Sequence, residues 1–300
     1  MTAAPAAPFA VDGFYADRQG SMVDAVRRAA RDRAVAPYEA FVRLVQRQAD
    51  AFATRQDRAE ADCALDSLAS WARAGILTGA LSSPQAEYER NWYLAGLALA
   101  YLKLMTVADG DRRTAIETWL GRLAGSTEGA LDRGVIPANN LSYWAGLALA
   151  AAGLATGNPE REARATRVLR DGLAAVGPDG TLPQELRRGE KALDYHAFAA
   201  APLATLALVE SARGRPFDRE ALRHLSERVM AGVGDPAFFA GRAGAAQVAP
   251  AAWNLAWLGI YRTVVPGEGP MPAHATASHF LGGDVEATIA AIRQTAGRRP

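Results

Sequence analysis

Disulfides and cysteine cages are the first things this 300-residue chain lacks, since Cys63 is its single cysteine. One thiol excludes an intrachain disulfide and every zinc site built on cysteine clusters. Within Ala61-Asp62-Cys63-Ala64-Leu65 it reads as a buried helix position. Histidine is scarce as well: His196, His224, His274 and His279 show no H-E-x-x-H or comparable ligand spacing, so no metal centre is expected. G-x-S-x-G and P-loop motifs are absent, which argues against an α/β-hydrolase and a nucleotide-binding enzyme, and no cofactor is expected. Nor does one sign of charge dominate. The 33 Lys+Arg residues meet 32 Asp+Glu, so no global field draws the chain to nucleic acid or a membrane surface. Any affinity for an anion has to be local.

Alternating β-branched runs are nearly absent, and what remains is helical. The apolar periodicity predicts helices near 22–34, 37–53, 58–74, 86–107, 111–124, 140–156, 159–175, 194–212, 217–231, 250–263 and 284–296, with breaks at Pro37, Gly75, Pro84, Gly110, Pro137, Gly157, Gly177, Gly214, Pro236 and Pro266. The uncharged run from Leu141 to Gly157 reads as a buried core helix rather than a membrane span, because it is rich in Ala and Gly and only marginally long enough. Met1–Pro8 contain neither a basic n-region nor an apolar h-region, so no export signal is read there. No Ser/Gly linker marks a domain boundary.

A hidden repeat refines this picture. Ala95-Gly96-Leu97-Ala98-Leu99-Ala100 recurs unchanged at Ala145-Gly146-Leu147-Ala148-Leu149-Ala150, 50 residues on, about the length of one antiparallel helical hairpin. Trp92-Tyr93 precedes the first copy and Tyr143-Trp144 the second; Tyr195-His196 precedes a similar apolar stretch, and Trp253 and Trp257 mark another. More charged amphipathic segments alternate with these. The pattern predicts an all-α fold, an α/α toroid of antiparallel helical hairpins with buried inner helices and solvated outer ones. Inner helices of such a ring start at one end, where their free N–H groups and partial positive charge suit an anionic ligand. Trp92 and Trp119 are expected to be core residues.

The segments Asn139-Asn140-Leu141-Ser142-Tyr143-Trp144 and Arg188…Ala192-Leu193-Asp194-Tyr195 resemble motifs of the alginate lyase family, polysaccharide lyase family five. That family has Asn-Asn-His-Ser-Tyr-Trp in the first place and an Arg followed by Ser/Ala-Leu-x-Tyr in the second. Flanking matches at Leu65–Ala72, Trp119-Leu120, Pro202-Leu203 and Trp253-Asn254-Leu255 extend the resemblance over roughly residues 35–265. Leu141 stands where the family has histidine.

The resemblance implies an α/α toroid with a deep cleft over residues 35–300, preceded by an N-terminal segment, 1–34. Within that segment Phe14–Ser21 resembles the family's lid, with Tyr15 and Arg18 as substrate contacts. The implied activity is metal-independent β-elimination on a uronate-containing polysaccharide, either poly-mannuronate or a glucuronate-containing exopolysaccharide. Asn140 and Arg188 would neutralise the carboxylate and Tyr195 would serve as base and acid in turn, helped by a pKa that Arg188 lowers. Asn139, Tyr143, Trp144, Lys191 and His196 are further substrate-binding candidates, His196 as a substitute for the missing histidine. A periplasmic or secreted location is expected, with the cytoplasm left open. The loss of that histidine also admits a non-catalytic reading, a toroid that binds or guides a nascent polysaccharide. Hydrolysis is the weaker chemical alternative, since Glu185 is the single acid close in sequence to the candidate site, Asp194 being read as a helix cap.

Overall fold

The computed structural model describes residues 9–17, 19–267 and 271–297; Met1–Pro8 and the lid candidate Arg18 lie outside them. Helix starts follow the capping residues in the sequence. Asp24 accepts hydrogen bonds from Val26 N and Arg27 N at the head of α1 (Ala25–Arg55), and Asp57 caps α2 (Arg58–Arg73). Ser83 and Pro84 open α3 (Pro84–Leu104), α4 spans Gly110–Asp132, and Asn139 caps α5 (Asn140–Thr156). Asn158 and Pro159 open α6 (Pro159–Ala174). The short α7 (Pro183–Leu186) precedes α8 (Ala192–Ala212), and Asp218 caps α9 (Arg219–Gly234). Then come α10 (Ala237–Ala243), α11 (Trp257–Val264) and α12 (Val285–Gly297). Such side-chain acceptors satisfy N–H groups that have no partner within the helix.

The expected break at Pro37 does not occur: α1 runs through it for 31 residues. Proline leaves the carbonyl of Arg33 without its helical donor, but both residues are exposed, so water satisfies that group. α1 therefore crosses position 34 without interruption. Three elements had no periodic signal, namely α7, α10 and a two-stranded antiparallel hairpin pairing β1 (Ala277–Ser278) with β2 (Gly283–Asp284). The helix expected over 250–263 is a 3-10 turn, Ala252–Leu255, followed by the shorter α11. Cys63 lies on α2 as expected but is exposed, because the buried face of that helix runs through Ala61, Ala64, Leu65, Leu68 and Ala69.

Five helices in succession build the ring. α1 packs on α3, α3 on α5, α5 on α8 and α8 on α11, while α2, α4, α6 and α9 cover them from outside. This is the α/α toroid that the repeat predicted. Both copies of the hexapeptide are buried throughout, on neighbouring inner helices. Their glycines mark close approaches: a Cβ on Gly146 would lie 2.6 Å from Val168 Cγ1, and one on Gly96 would collide with the carbonyl oxygen of His279. The Leu141–Gly157 run is the buried α5.

α12 touches α3, α8 and α11 and fills the ring beside the C-terminal half of α3. The buried Lys103 holds the preceding hairpin there, donating to Asp50, to Gly282 O (2.8 Å) and to Asp284 O (3.1 Å). Gln46 Nε2 donates to His279 O at 2.7 Å. The opposite end, where α3, α5 and α8 begin, stays open.

Candidate active site

A cleft of about 690 Å³ opens at that end. The N-terminal halves of α3, α5 and α8 supply Gln85, Tyr88, Trp92, Asn140, Leu141, Asp194, Tyr195 and Phe198. α1 supplies one wall, and Trp253, Asn254, His279 and Phe280 another. Phe14 and Tyr15 close it from the N-terminal side. Clustered helix N-termini give this end a positive backbone potential.

Arg188 and Tyr195 are adjacent, the guanidinium carbon lying 4.3 Å from the centre of the tyrosine ring. The Tyr195 hydroxyl shares a short hydrogen bond with that of Tyr15. Arg188 Nη1 donates to Gln19 O at 2.9 Å and so ties the same N-terminal loop to the cleft. That loop is folded on itself: the Asp17 carboxylate accepts from Ser21 N and Met22 N, and Tyr15 bridges Val23. Gly20, at φ 68°, packs against Arg188, and a side chain there would collide with Nη1. Lys191 Nζ lies 4.9 Å from the centre of the Tyr15 ring.

Behind this corner Glu185 is fully buried. It accepts from Asn140 N (2.9 Å) and Asn140 Nδ2 (3.0 Å) and lies 3.5 Å from Arg188 Nε. One carboxyl thus fixes the two residues that the motifs single out. With Nδ2 engaged, Asn140 has its buried Oδ1 without a partner among the described residues. Burial pushes the Glu185 carboxyl upward against the opposing pull of Arg188 and Asn140. Burial also raises Tyr195 well above an ordinary phenol, with the neighbouring Tyr15 adding to the effect and Arg188 opposing it. The expected lowering of the Tyr195 pKa is therefore reversed in this closed cleft, because loss of water outweighs one cation.

Of the residues singled out in the sequence, Tyr15, Asn140, Arg188, Lys191 and Tyr195 line the cleft together, with Leu141 among them. Leu141 packs against the small buried cluster of Ala130, Ile136 and Ala145. The other candidates lie elsewhere. Asn139 is the helix cap, its Oδ1 accepting from Leu141 N at 3.0 Å. Tyr143 is buried against Gly172, where a Cβ would lie 2.9 Å from its ring. Trp144 sits behind the wall, its ring 4.9 Å from Phe198 and 5.4 Å from Phe280.

His196 does not replace the missing histidine. It is fully buried, its Nε2 accepting from Leu182 N (2.9 Å) and its Nδ1 donating to Ala192 O (2.7 Å). Burial holds it down at about 4, so it stays neutral. On a helix its side chain points about 100° away from that of Tyr195, which is why only one of the pair faces the cleft.

Several lining residues carried no signal, or a misleading one. Trp92 packs against the core as expected but also lines the cleft, whereas Trp119 is wholly buried. Asp194 lies within the first turn of α8, beyond the cap position, and accepts from Asn254 Nδ2 at 2.8 Å. Trp253, 41% exposed, stands next to His279 and Phe280, at ring separations of 5.9 and 5.4 Å. His279 is held down at about 3 by burial, with Arg43 and Arg31 adding to the effect. Trp253-Asn254 could have been found from its place in the flanking resemblance; His279 could not.

The family model for alginate lyase matches residues 14–239. A polysaccharide lyase of Stenotrophomonas maltophilia (strain K279a) is 34% identical over 283 residues, covering 91% of this chain and 85% of that protein. An alginate lyase of Pseudomonas putida (strain F1) is 33% identical over 249 residues, 76% of this chain and 67% of the relative. Against an alginate lyase of Pseudomonas syringae pv. syringae the identity is 35% over 191 residues, and the match spans only half of that relative's length. Among solved structures, alginate lyase A1-III from Sphingomonas species A1 superposes with a TM-score of 0.76 at 21% identity, covering 98% of this chain and 84% of that one. A variant of alginate lyase A1-III complexed with a tetrasaccharide gives 0.81 at the same identity and coverage. These two likenesses are likenesses of fold.

Proposed function

The chain belongs to the alginate lyase family and is a polysaccharide lyase, and from that premise we propose that it cleaves a 4-linked uronate polymer by β-elimination in the cleft around Arg188 and Tyr195. The observation that carries this reading is the joint placement of Arg188, Tyr195 and Tyr15 over a buried Glu185–Asn140 pair.

The chemical obstacle is the C5 proton, which is hard to remove while the adjacent carboxylate keeps its charge. Arg188 supplies the counter-charge, in a planar fork suited to a carboxylate. Glu185 serves that role best when it holds a proton, since an ionised Glu185 would cancel Arg188 and repel the substrate. Its burial favours the protonated form. Asn140 acts by fixing Glu185.

Tyr195, as phenolate, takes the proton from C5; the electron pair forms the C4–C5 double bond, the C4–O4 bond breaks, and Tyr195 returns the proton to O4. One phenol reaching both positions requires the C5 hydrogen and O4 on the same face of the ring. Mannuronate and glucuronate meet that requirement. The Tyr15 hydroxyl, bonded to that of Tyr195, can donate to the phenolate once it forms. Because Tyr195 starts with a raised pKa, kcat/KM should climb with pH through the neutral and mildly alkaline range, as the phenolate fraction grows.

The test is incubation with a panel of uronic polymers while following ultraviolet absorbance of the unsaturated product. An increase on at least one mannuronate- or glucuronate-containing polymer is the expected result. No increase on any polymer, with binding retained, would overturn the lyase reading in favour of a binding protein.

A further inference from the structure

Arg188 does not stand on a long helix. It follows the four-residue α7 and precedes a 3-10 turn, Gly189–Lys191, so the stretch from Leu182 to Ala192 that carries Glu185, Arg188 and Lys191 contains no element long enough to hold its own shape. The guanidinium keeps its place 4.3 Å from the centre of the Tyr195 ring through contacts made from outside that stretch.

His196 closes one end. Its ring is wholly buried, 4.9 Å from that of Phe239, and it accepts from Leu182 N at 2.9 Å through Nε2 while donating to Ala192 O at 2.7 Å through Nδ1. The two bonds tie the start of α7 to the first turn of α8 and fix one neutral tautomer. The turn before Leu182 is itself held to α9, where Arg228 Nε donates to Asp179 O at 2.7 Å. Gln247 closes the other end. Lys191, the cap residue of α8, makes no side-chain hydrogen bond to that helix, and Gln247 Oε1 accepts from Leu193 N at 3.0 Å in its stead. Gln247 Nε2 donates to Gly189 O at 3.0 Å, and Val248 N donates to Glu190 O at 2.7 Å. Neither His196 nor Gln247 lines the cleft.

Building on the lyase reading, we infer that His196 and Gln247 are positioning residues of the elimination, holding the Arg188 turn against Tyr195 without meeting the substrate. The test is steady-state kinetics on the uronate polymer that the wild type cuts best, at a temperature where circular dichroism shows each variant fully folded. His196→Gln can place an amide oxygen where Nε2 stands and so keeps an acceptor for Leu182 N; the shorter side chain of His196→Asn reaches only the position of Nδ1 and leaves that N–H unpaired. Against wild type, kcat should stay within about threefold in His196→Gln and fall at least about tenfold in His196→Asn, with KM within about threefold in both, because a shifted Arg188 loses most in the transition state, where the charge on the carboxylate grows. Gln247→Ala, a change on a half-buried loop outside the core, should lower kcat about fivefold with KM equally steady. Wild-type turnover in His196→Asn, equal losses in the two His196 variants, or an unchanged kcat in Gln247→Ala overturns the inference while the lyase reading stands. If His196→Asn does not fold, Gln247→Ala decides by itself. Failure of the wild type to cut any polymer overturns both.

Discussion

The two sides of the cleft are built by different means. The Arg188–Tyr195 corner joins the first turns of α5 and α8 to the short segment that runs from α7 to α8, and one buried carboxyl, Glu185, cross-links it to Asn140. The Trp253–His279 wall rests on 3-10 turns and a two-residue hairpin, pinned from behind by Gln46 and Lys103. Rigid helix ends suit groups that must hold a reacting atom within fractions of an ångström, whereas irregular segments can be exchanged without disturbing the ring. The comparison teaches that one cleft can draw one side from the helix starts of the ring and the other from irregular segments held by long-range contacts.

Substitutions should expose that separation, beginning with the largest effect. Tyr195→Phe removes the proton carrier and should lower kcat by about 10³-fold or more with KM little changed; steady-state kinetics reads this directly. Normal turnover in that variant would remove Tyr195 from the mechanism. Glu185→Ala should cost about 10²-fold in kcat, because Asn140 and Arg188 both lose their anchor, while Glu185→Gln should cost less than about tenfold if the working form of Glu185 is protonated. Equal losses in the two variants would show that the negative charge itself is needed. Gly20→Ala places a methyl group against Arg188 at a positive φ, and a roughly tenfold fall in kcat/KM is expected, measured on the best polymer.

A further effect is on stability rather than turnover. His196 is neutral in the fold, at about 4, against an ordinary 6.5. Its contribution is therefore complete above pH 6.5 and is lost as pH falls through about 4, since the unfolded chain takes up the proton first. Between those limits wild type should lose about 3 kcal/mol more than His196→Gln in urea titrations. Equal pH slopes for the two proteins would show that His196 ionises freely.

The same contrast explains what the sequence disclosed. The repeated hexapeptide, the caps Asn139 and Asn158 and the glycine at 157 specify α5 and its neighbours locally, so the ring and the corner could be read before any coordinates. Pro37 misled because the cost of an interrupted hydrogen bond depends on solvent exposure, which periodicity does not report. His196 and Asp194 were misplaced because a helix turns neighbouring side chains to different faces, and a one-residue phase error moves a group from cleft to core. The wall was hardest to see. Its central link joins Asn254 to Asp194 across 60 residues, and the backbone approach of His279 to Gly96 spans still more of the chain. Contacts of that range leave no local pattern.

The continuity of α1 has an evolutionary consequence. Near its start Arg31 grips Glu89 at the cleft, and about five turns later Asp50 grips Lys103 at the plugged end. Inserting or deleting one residue between those positions would rotate the far end by about 100° and shift it by about 1.5 Å, so both grips could not survive together. The interval from 31 to 50 is therefore a fixed ruler in this protein. Length variation among its descendants should collect in the turns between helices and leave α1 untouched.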